Sequence, residues 1–316
     1  MKKSVLVIGA GIAGIQTSLD LAEMGIQVHL VEKRPTLGGY MAKLARIFPT
    51  NDCAMCILGP KMAELGKHRN ITLFAYSEVQ EVHKDQDGFA VTIMKKPRYV
   101  DEKKCISCGE CAEVCILNKR IPDAYDPRFE QRSAIYTVPQ AFPLTYTIDE
   151  EHCLFLKTGV CGKEPACQKA CPSEAILFSQ KPVACTINVN AIVVAVGLSV
   201  YDPSPITEYG YKRYRNVITA FELERLLAAS GPTGGQITMA DGNKPSRVAF
   251  IQCVGSRDVA HNLYCSSICC MFATKQAMLL KERCPEIEVY LFFTDLRTSG
   301  KQSHEYVERA RHEHNI

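Results

Sequence analysis

The stretch "VLVIGAGIAGIQTSLDLAEMGIQVHLVE", Val5 to Glu32, decides the fold. A short β-branched run ends at Gly9, apolar residues then recur at helical spacing from Ile12 to Met24, Gly25 stops the helix, and "QVHLVE" begins a second strand. Strand, glycine turn, helix and strand make one right-handed βαβ unit. Gly9 permits the tight turn, Gly11 admits a pyrophosphate and Gly14 lets helix and strand pack. The helix N-terminus offers unpaired N–H groups to phosphate, and Glu32 stands where a carboxylate accepts from ribose hydroxyls.

Around this unit lies a chain of 316 residues, 47% hydrophobic and 22% charged, with a formal charge of +3. That length suits about two domains of an ordinary globular protein. The basic residues are scattered, and "KKPRYVDEKK" reads as a solvated loop, so no nucleic-acid partner is expected. The apolar run of "MKKSVLVIGAG" is short and lacks a cleavage pattern, and no run approaches the roughly 18 apolar residues of a membrane span. The expectation is a cytoplasmic chain without a transmembrane segment. Sixteen cysteines are then the anomaly, because a reducing compartment favours metal or redox roles over disulfides.

Downstream, "ITLFAY", "EVQEVHK" and "FAVTIM" read as strands, the last two joined at Asp87-Gly88. "CTINVNAIVVAVG" reads as a strand ending at Gly197, and "NVITAFELERLLAAS" as a helix. "SRVAFIQ", a cysteine-bearing turn and "MFATKQAMLLKE" start a second strand-turn-helix-strand unit. The expected division is a dinucleotide-binding domain over 1–97, an insert over 98–180, the first domain continued with a linker over 181–240, and an incomplete second dinucleotide-type unit over 241–316. That second sheet needs further strands, from this polypeptide or another.

After Glu32 and Lys33 comes a Gly38-Gly39 pair, and this arrangement resembles the two-dinucleotide-binding-domain flavoproteins of the thioredoxin reductase group. The resemblance implies an α/β, Rossmann-type fold. It also favours FAD over NAD at the first site, with Gly38 and Gly39 along the cofactor and Gly197 closing the later strand. The bland alternative is a glycine turn that packs helix on strand and holds nothing.

Cys105, Cys108, Cys111 and Cys115 follow C-x2-C-x2-C-x3-C, the spacing of a bacterial ferredoxin loop. Cys153, Cys161, Cys167 and Cys171, followed by Pro172, repeat it with stretched intervals. In two-cluster modules the fourth cysteine of each run serves the other cluster. Cys105, Cys108, Cys111 and Cys171 are therefore assigned to one 4Fe–4S cluster, and Cys115, Cys153, Cys161 and Cys167 to the other. Ile116 replaces the usual proline, and two zinc sites of four thiolates each are the alternative. Cys253, Cys265, Cys269 and Cys270 stand where the second unit should carry a glycine-rich phosphate turn, and together they suit a third cluster.

"FPTNDCAMCILGPKM", "IQCVGSRD" and "YCSSICCMFATKQA", taken with "LGGYMAKL" and the ferredoxin-like insert, resemble the family of heterodisulfide reductase A-type subunits over nearly the whole chain. The resemblance implies an FAD electron hub that exchanges electron pairs and relays single electrons through clusters, in a family associated with flavin-based bifurcation. Its expected partners are subunits B and C, a hydrogenase or formate dehydrogenase electron-input subunit, and a second copy in a homodimer. It also implies that Lys275 faces the flavin ring, against the alternative of a solvated helix lysine.

Cys53 and Cys56 form a C-x2-C pair, read as a dithiol that exchanges electrons, as half of a metal site, or as two buried inert thiols. Cys185 and Cys284 read as packing residues, and His304, His312 and His314 as a solvated face. Two other functions compete: an NAD(P)H-linked flavin and iron–sulfur reductase similar to the small subunit of glutamate synthase, and a non-catalytic electron-transfer scaffold. The first requires a glycine-rich turn near Cys253, which is absent from the sequence.

Overall fold

The computed structural model describes residues 3–316. They divide into two compact units, the first running to Ala42 and resuming over Met55–Gly197, the second formed by Lys43–Ala54 with Leu198–Ile316.

The first unit starts with β1 (Ser4–Ile8), α1 (Ile12–Glu23) and β2 (Gln27–Glu32), the βαβ unit read from sequence. Next come α2 (Ala54–Lys67), β3 (Ile71–Ala75), β4 (Ser77–Asp85) and β5 (Gly88–Lys95). The insert supplies only short pieces: α3 (Glu110–Glu113), β6 (Ile121–Pro122), β7 (Gln131–Arg132), β8 (Ile135–Tyr136), β9 (Thr147–Ile148), α4 (Leu154–Thr158) and α5 (Ala166–Lys169). β10 (Val183–Val189) and β11 (Ala191–Val194) complete the unit.

β11, β1, β2 and β3 form, in that order, a parallel sheet. Strands buried on both faces need continuous apolar runs, and β1 has them: Leu6 and Val7 are fully buried. One face receives Ile15, Leu19 and Ala22 of α1. A second, antiparallel sheet of β10, β5 and β4 brings Val91, Ile93 and Val189 into one cluster with Leu6 and Val31 of the parallel sheet.

Two sequence expectations change here. The single strand read across "CTINVNAIVVAVG" is two, because the chain breaks at Asn190: β10 pairs with β5 and β11 with β1, in different sheets. Asn190 itself donates from its backbone N–H to Ser4 O at 2.9 Å. Helix α2 has no counterpart in the sequence reading, and Gly59 and Pro60 within it are poor helix formers. It forms regardless, burying Leu58, Met62 and Leu65.

The insert has its own core, in which Cys111 and Cys153 pack with Tyr99, Val100, Ile135, Ile148 and Ile176. Arg98, 2% exposed, anchors its start: Nε donates to Glu102, Nη1 to Thr147 Oγ1 and Nη2 to Pro35 O. Farther along, Phe142 N donates to Thr36 Oγ1 at 2.9 Å and Leu37 N to Phe142 O at 3.0 Å. Both contacts seat the insert on the segment just before Gly38.

The second unit contains α6 (Ala220–Leu227), β12 (Arg247–Ile251), α7 (Cys269–Arg283), β13 (Glu288–Phe292) and α8 (Ser303–His314). α6 is shorter than the apolar pattern suggests because a capping box fixes its start: Thr219 Oγ1 accepts from Glu222 N while Glu222 Oε2 accepts from Thr219 N. β12 and β13 pair in parallel around α7, the strand-helix-strand arrangement expected from sequence. α7 is buried continuously from Cys270 to Leu280. Ile251, Tyr290 and Phe292 lie on exposed positions of the two strands.

Candidate cofactor and cysteine sites

The glycine turn has the close approaches that a dinucleotide cradle needs. A Cβ on Gly14 would fall 1.8 Å from Gly9 O, and one on Gly39 would fall 2.9 Å from Gly11 Cα. Gly38 N donates to Ala10 O at 2.8 Å, and Gly11 and Gly38 form a parallel bridge. The Gly38-Gly39 segment therefore lies directly along the turn. α2 backs it, since a Cβ on Gly38 would meet Leu58 and Met62.

Glu32 is 7% exposed, and its carboxylate is held on both oxygens: Oε2 accepts from Ala10 N at 2.8 Å and Oε1 from Arg34 N at 2.9 Å. A pre-set acceptor beside the N-terminus of α1 suits a ribose and its adjoining pyrophosphate. The first turn of α1 carries no acidic residue, so nothing offsets the helix dipole there. Lys33 is exposed, and Gly197 adopts a left-handed conformation just beyond β11. The Arg34 amide contact with Glu32 had no sequence signal, because any residue supplies that N–H.

Cys105, Cys108, Cys111 and Cys171 line one pocket, walled by Val100, Ile135 and Ile176. Burial pushes the Cys111 thiol up to about 12, and the neighbouring Cys171, Cys105 and Cys108 add to it. Cys171 is opposed by its own burial, yet the Ala175 N–H, 3.3 Å from its Sγ, holds it below the ordinary thiol range. Cys115, Cys153, Cys161 and Cys167 form the second group. Burial raises Cys167 to about 12, with Cys115 and Cys153 next in effect, and Cys153 is raised by burial and then by Cys161 and Cys115.

Thiols gathered in fours, with buried members that resist ionisation, fit a cationic centre that would neutralise four thiolates at once. A single tetrahedral zinc, with bonds of about 2.3 Å, draws its sulfurs to roughly 4 Å of one another. Among the described residues, the set of three or more such ligand atoms lying within 4.8 Å of one another is Asp123, Asp126 and Glu130, and it contains no cysteine.

Cys253 precedes the turn in a left-handed conformation, and Cys269 and Cys270 open α7, which starts earlier than the apolar pattern suggests. Burial raises the buried Cys270 thiol, and Cys269 and Cys253 are close enough to raise it further. Cys265 accepts from Ser267 N at 3.3 Å. Arg257 pairs with Asp295 and also bonds Cys253. The turn is not an open phosphate cradle: a Cβ on Gly255 would meet the Tyr201 ring at 2.3 Å.

The reading of Lys275 as a solvated lysine is overturned. It is fully buried, and Nζ donates to Glu224 Oε1 at 2.7 Å and to Arg46 O at 2.9 Å. Burial holds its pKa below the ordinary lysine range, against the opposing pull of Glu224. Glu224 Oε2 also accepts from Gln276, and Oε1 from Ala45 N. The reading of Cys53 and Cys56 as buried thiols is likewise overturned, since both are exposed and disulfide-bonded. Cys284 is buried and Cys185 half-buried, as packing residues are.

The family of FAD-dependent oxidoreductases matches residues 4–88. The iron-sulfur A-type subunit of CoB–CoM heterodisulfide reductase from Methanocaldococcus jannaschii is 49% identical over 318 residues, covering 99% of this chain and 47% of its own length. The A-type subunit of H2:CoB–CoM heterodisulfide, ferredoxin reductase from Methanothermobacter thermautotrophicus is 46% identical, covering 98% of this chain and 46% of its own length. Among solved structures, L-proline dehydrogenase from P. horikoshii aligns at 25% identity and a TM-score of 0.26, over 29% of this chain and 19% of that one. Over nearly its whole length the chain is similar to the A-type subunits of heterodisulfide reductase, and it spans about half the length of the curated relatives it matches.

Proposed function

We propose that this chain is the FAD- and 4Fe–4S-containing electron-transfer portion of a heterodisulfide reductase-type complex. The observation that carries this reading is the gathering of eight insert cysteines into two crossed quartets, within the same unit as the glycine turn. Bound FAD exchanges electrons in pairs or singly, and each cluster exchanges one. The residues of this chain do the positioning. Glu32 orients a ribose, the α1 N-terminus receives the pyrophosphate, and Gly9, Gly11, Gly14, Gly38 and Gly39 keep side chains out of its path.

In the insert, the eight thiolates hold the two clusters, while Val100, Ile135 and Ile176 keep water from the first. Cys253, Cys265, Cys269 and Cys270 would hold a third cluster in the second unit. The reading extends to flavin-based bifurcation, a homodimeric assembly, partners of the B and C type and electron input from a hydrogenase or formate dehydrogenase; the naming of relatives as A-type subunits of H2- and formate-linked reductases supports partner subunits of this kind. The NAD(P)H-linked alternative is disfavoured by the Tyr201-filled turn at Gly255.

The test is the cofactor content of the anaerobically purified chain. About one FAD per chain is expected, with about twelve iron atoms and equal acid-labile sulfide if three clusters are present. Zinc in place of iron, or a flavin-free and sulfide-free protein, would end this reading.

A further inference from the structure

The pocket lined by Cys105, Cys108, Cys111 and Cys171 is also lined by three hydroxyl side chains, Ser107, Tyr146 and Ser173. Ser107 Oγ donates to Leu144 O at 2.7 Å, so its proton is committed to the backbone. Ser173 Oγ lies 3.7 Å from Cys171 Sγ, within hydrogen-bond reach of a sulfur. The Tyr146 hydroxyl has no hydrogen-bond partner among the described residues.

The fold aims that phenol at the cysteine loop. Tyr146 immediately precedes β9 and packs against the insert core that contains Cys111 and Ile148. Gly109, between Cys108 and Cys111, has a φ of 92°, and a Cβ there would meet the Tyr146 Oη at 3.2 Å. Burial raises the pKa of the phenol, and the nearby Cys111, Cys108 and Cys105 add to it in that order. The hydroxyl therefore stands over the first three thiols of the quartet.

The second quartet has different neighbours. Cys153 receives the backbone N–H groups of Leu156 and Phe155, and Cys167 receives that of Gln168. Phe155 and Leu156 pack into the insert core, with the Phe155 ring 4.3 Å from that of Phe178, and none of these three side chains has a proton to give. Backbone donors reach the first quartet as well, through Ala175 N and Ile176 N on Cys171. The hydroxyls distinguish the first pocket from these surroundings.

We propose that Tyr146 and Ser173 are potential-setting residues of the first insert cluster, donating hydrogen bonds to its sulfurs and holding its reduction potential above that of the second. The inference rests on the two-cluster reading of the insert. Reduction adds one electron to a centre that already carries four thiolates, and no bond to either residue forms or breaks. A donor aimed at sulfur stabilises the more negative, reduced form more than the oxidised one, which raises the potential. Exposure of Cys108 to water acts in the same direction. Electrons entering the insert therefore collect at the centre held by Cys105, Cys108, Cys111 and Cys171.

The test is a reductive titration of the full chain, purified anaerobically with its iron and sulfide counted, and followed by electron paramagnetic resonance. Tyr146→Phe removes one oxygen and keeps the ring. It is expected to retain the parent's iron and sulfide while the one-electron reduction equilibrium constant of a single centre falls about tenfold, equal to about 59 mV, with the other centres unmoved. Ser173→Ala is expected to shift the same centre in the same direction, and that centre should be the one missing from Cys171→Ser. If only one of the two hydroxyl variants keeps its iron, its potential alone decides. Unchanged potentials at full iron content would overturn the proposal. So would equal shifts of every centre, or loss of iron from both variants, which mark a packing role. A parent chain without iron and sulfide would instead end the two-cluster reading, so the two failures are distinguishable.

Discussion

A Cβ at Gly14 would lie 1.8 Å from the Gly9 carbonyl oxygen, a backbone atom that cannot swing aside. Gly14→Ala is therefore expected to cost about 3 kcal/mol, at the upper end of ordinary overpacking, and to lower the melting temperature by several degrees. Thermal denaturation checks it. Glu32→Ala leaves the Ala10 and Arg34 amides without their acceptor and removes the proposed ribose partner. Hydrogen bonds to a charged group contribute roughly 1.5–3 kcal/mol, so FAD affinity should fall about 10- to 100-fold, measured by equilibrium binding of FAD to apoprotein. Glu32→Gln keeps one acceptor oxygen and should lie between. At this scale Gly9, Gly14 and Glu32 were legible because the chemistry demands those residue types. Arg98 was not, since nothing around "KKPRYV" distinguishes a buried anchor from a solvated charge until Thr147 and Pro35 are brought to it.

Elements were legible where their own periodicity sets them and illegible where packing overrides local preference. The βαβ run of β1, α1 and β2 needed nothing beyond its pattern. α2 forms against the signal of Gly59-Pro60 because Leu58, Met62 and Leu65 are buried along it. α7 is the strongest case: a lysine and a glutamine inside a helix buried all round make sense only once Glu224 of α6 is placed opposite them. Lys275→Met alone leaves that carboxylate without its cation and should cost about 3–5 kcal/mol, read from urea denaturation. Adding Glu224→Leu should recover only part, because Ala45 N then loses the acceptor on Glu224 and Gln276 Nε2 keeps only Ala220 O. In the insert, burial opposes the Asp149 charge, but Arg132 and then His152 hold its carboxyl below the ordinary aspartate range. Its stabilisation is thus complete above about pH 4 and lost as pH falls through the folded value. Asp149→Asn should be less stable than the parent at about pH 6, with the gap closing in acid; a gap independent of pH would refute the pairing.

Across the whole molecule, the division into two units separates the flavin-type turn and both insert quartets from the third cysteine group. Stopped-flow mixing with NADPH should give no prompt flavin bleaching, given the Tyr201 ring against Gly255 in the second unit. Cys171→Ser is expected to remove about four iron atoms per chain while Cys115→Ser removes a different four, a distinction visible in electron paramagnetic resonance. The crossed quartets also set an order on biosynthesis. As the chain leaves the ribosome, Cys105, Cys108 and Cys111 emerge long before Cys171, and Cys115 waits for Cys153, Cys161 and Cys167. On the proposed assignment, neither centre can mature on a nascent half-insert, so metal loading follows completion of the whole segment and a cut anywhere between the two runs forfeits both.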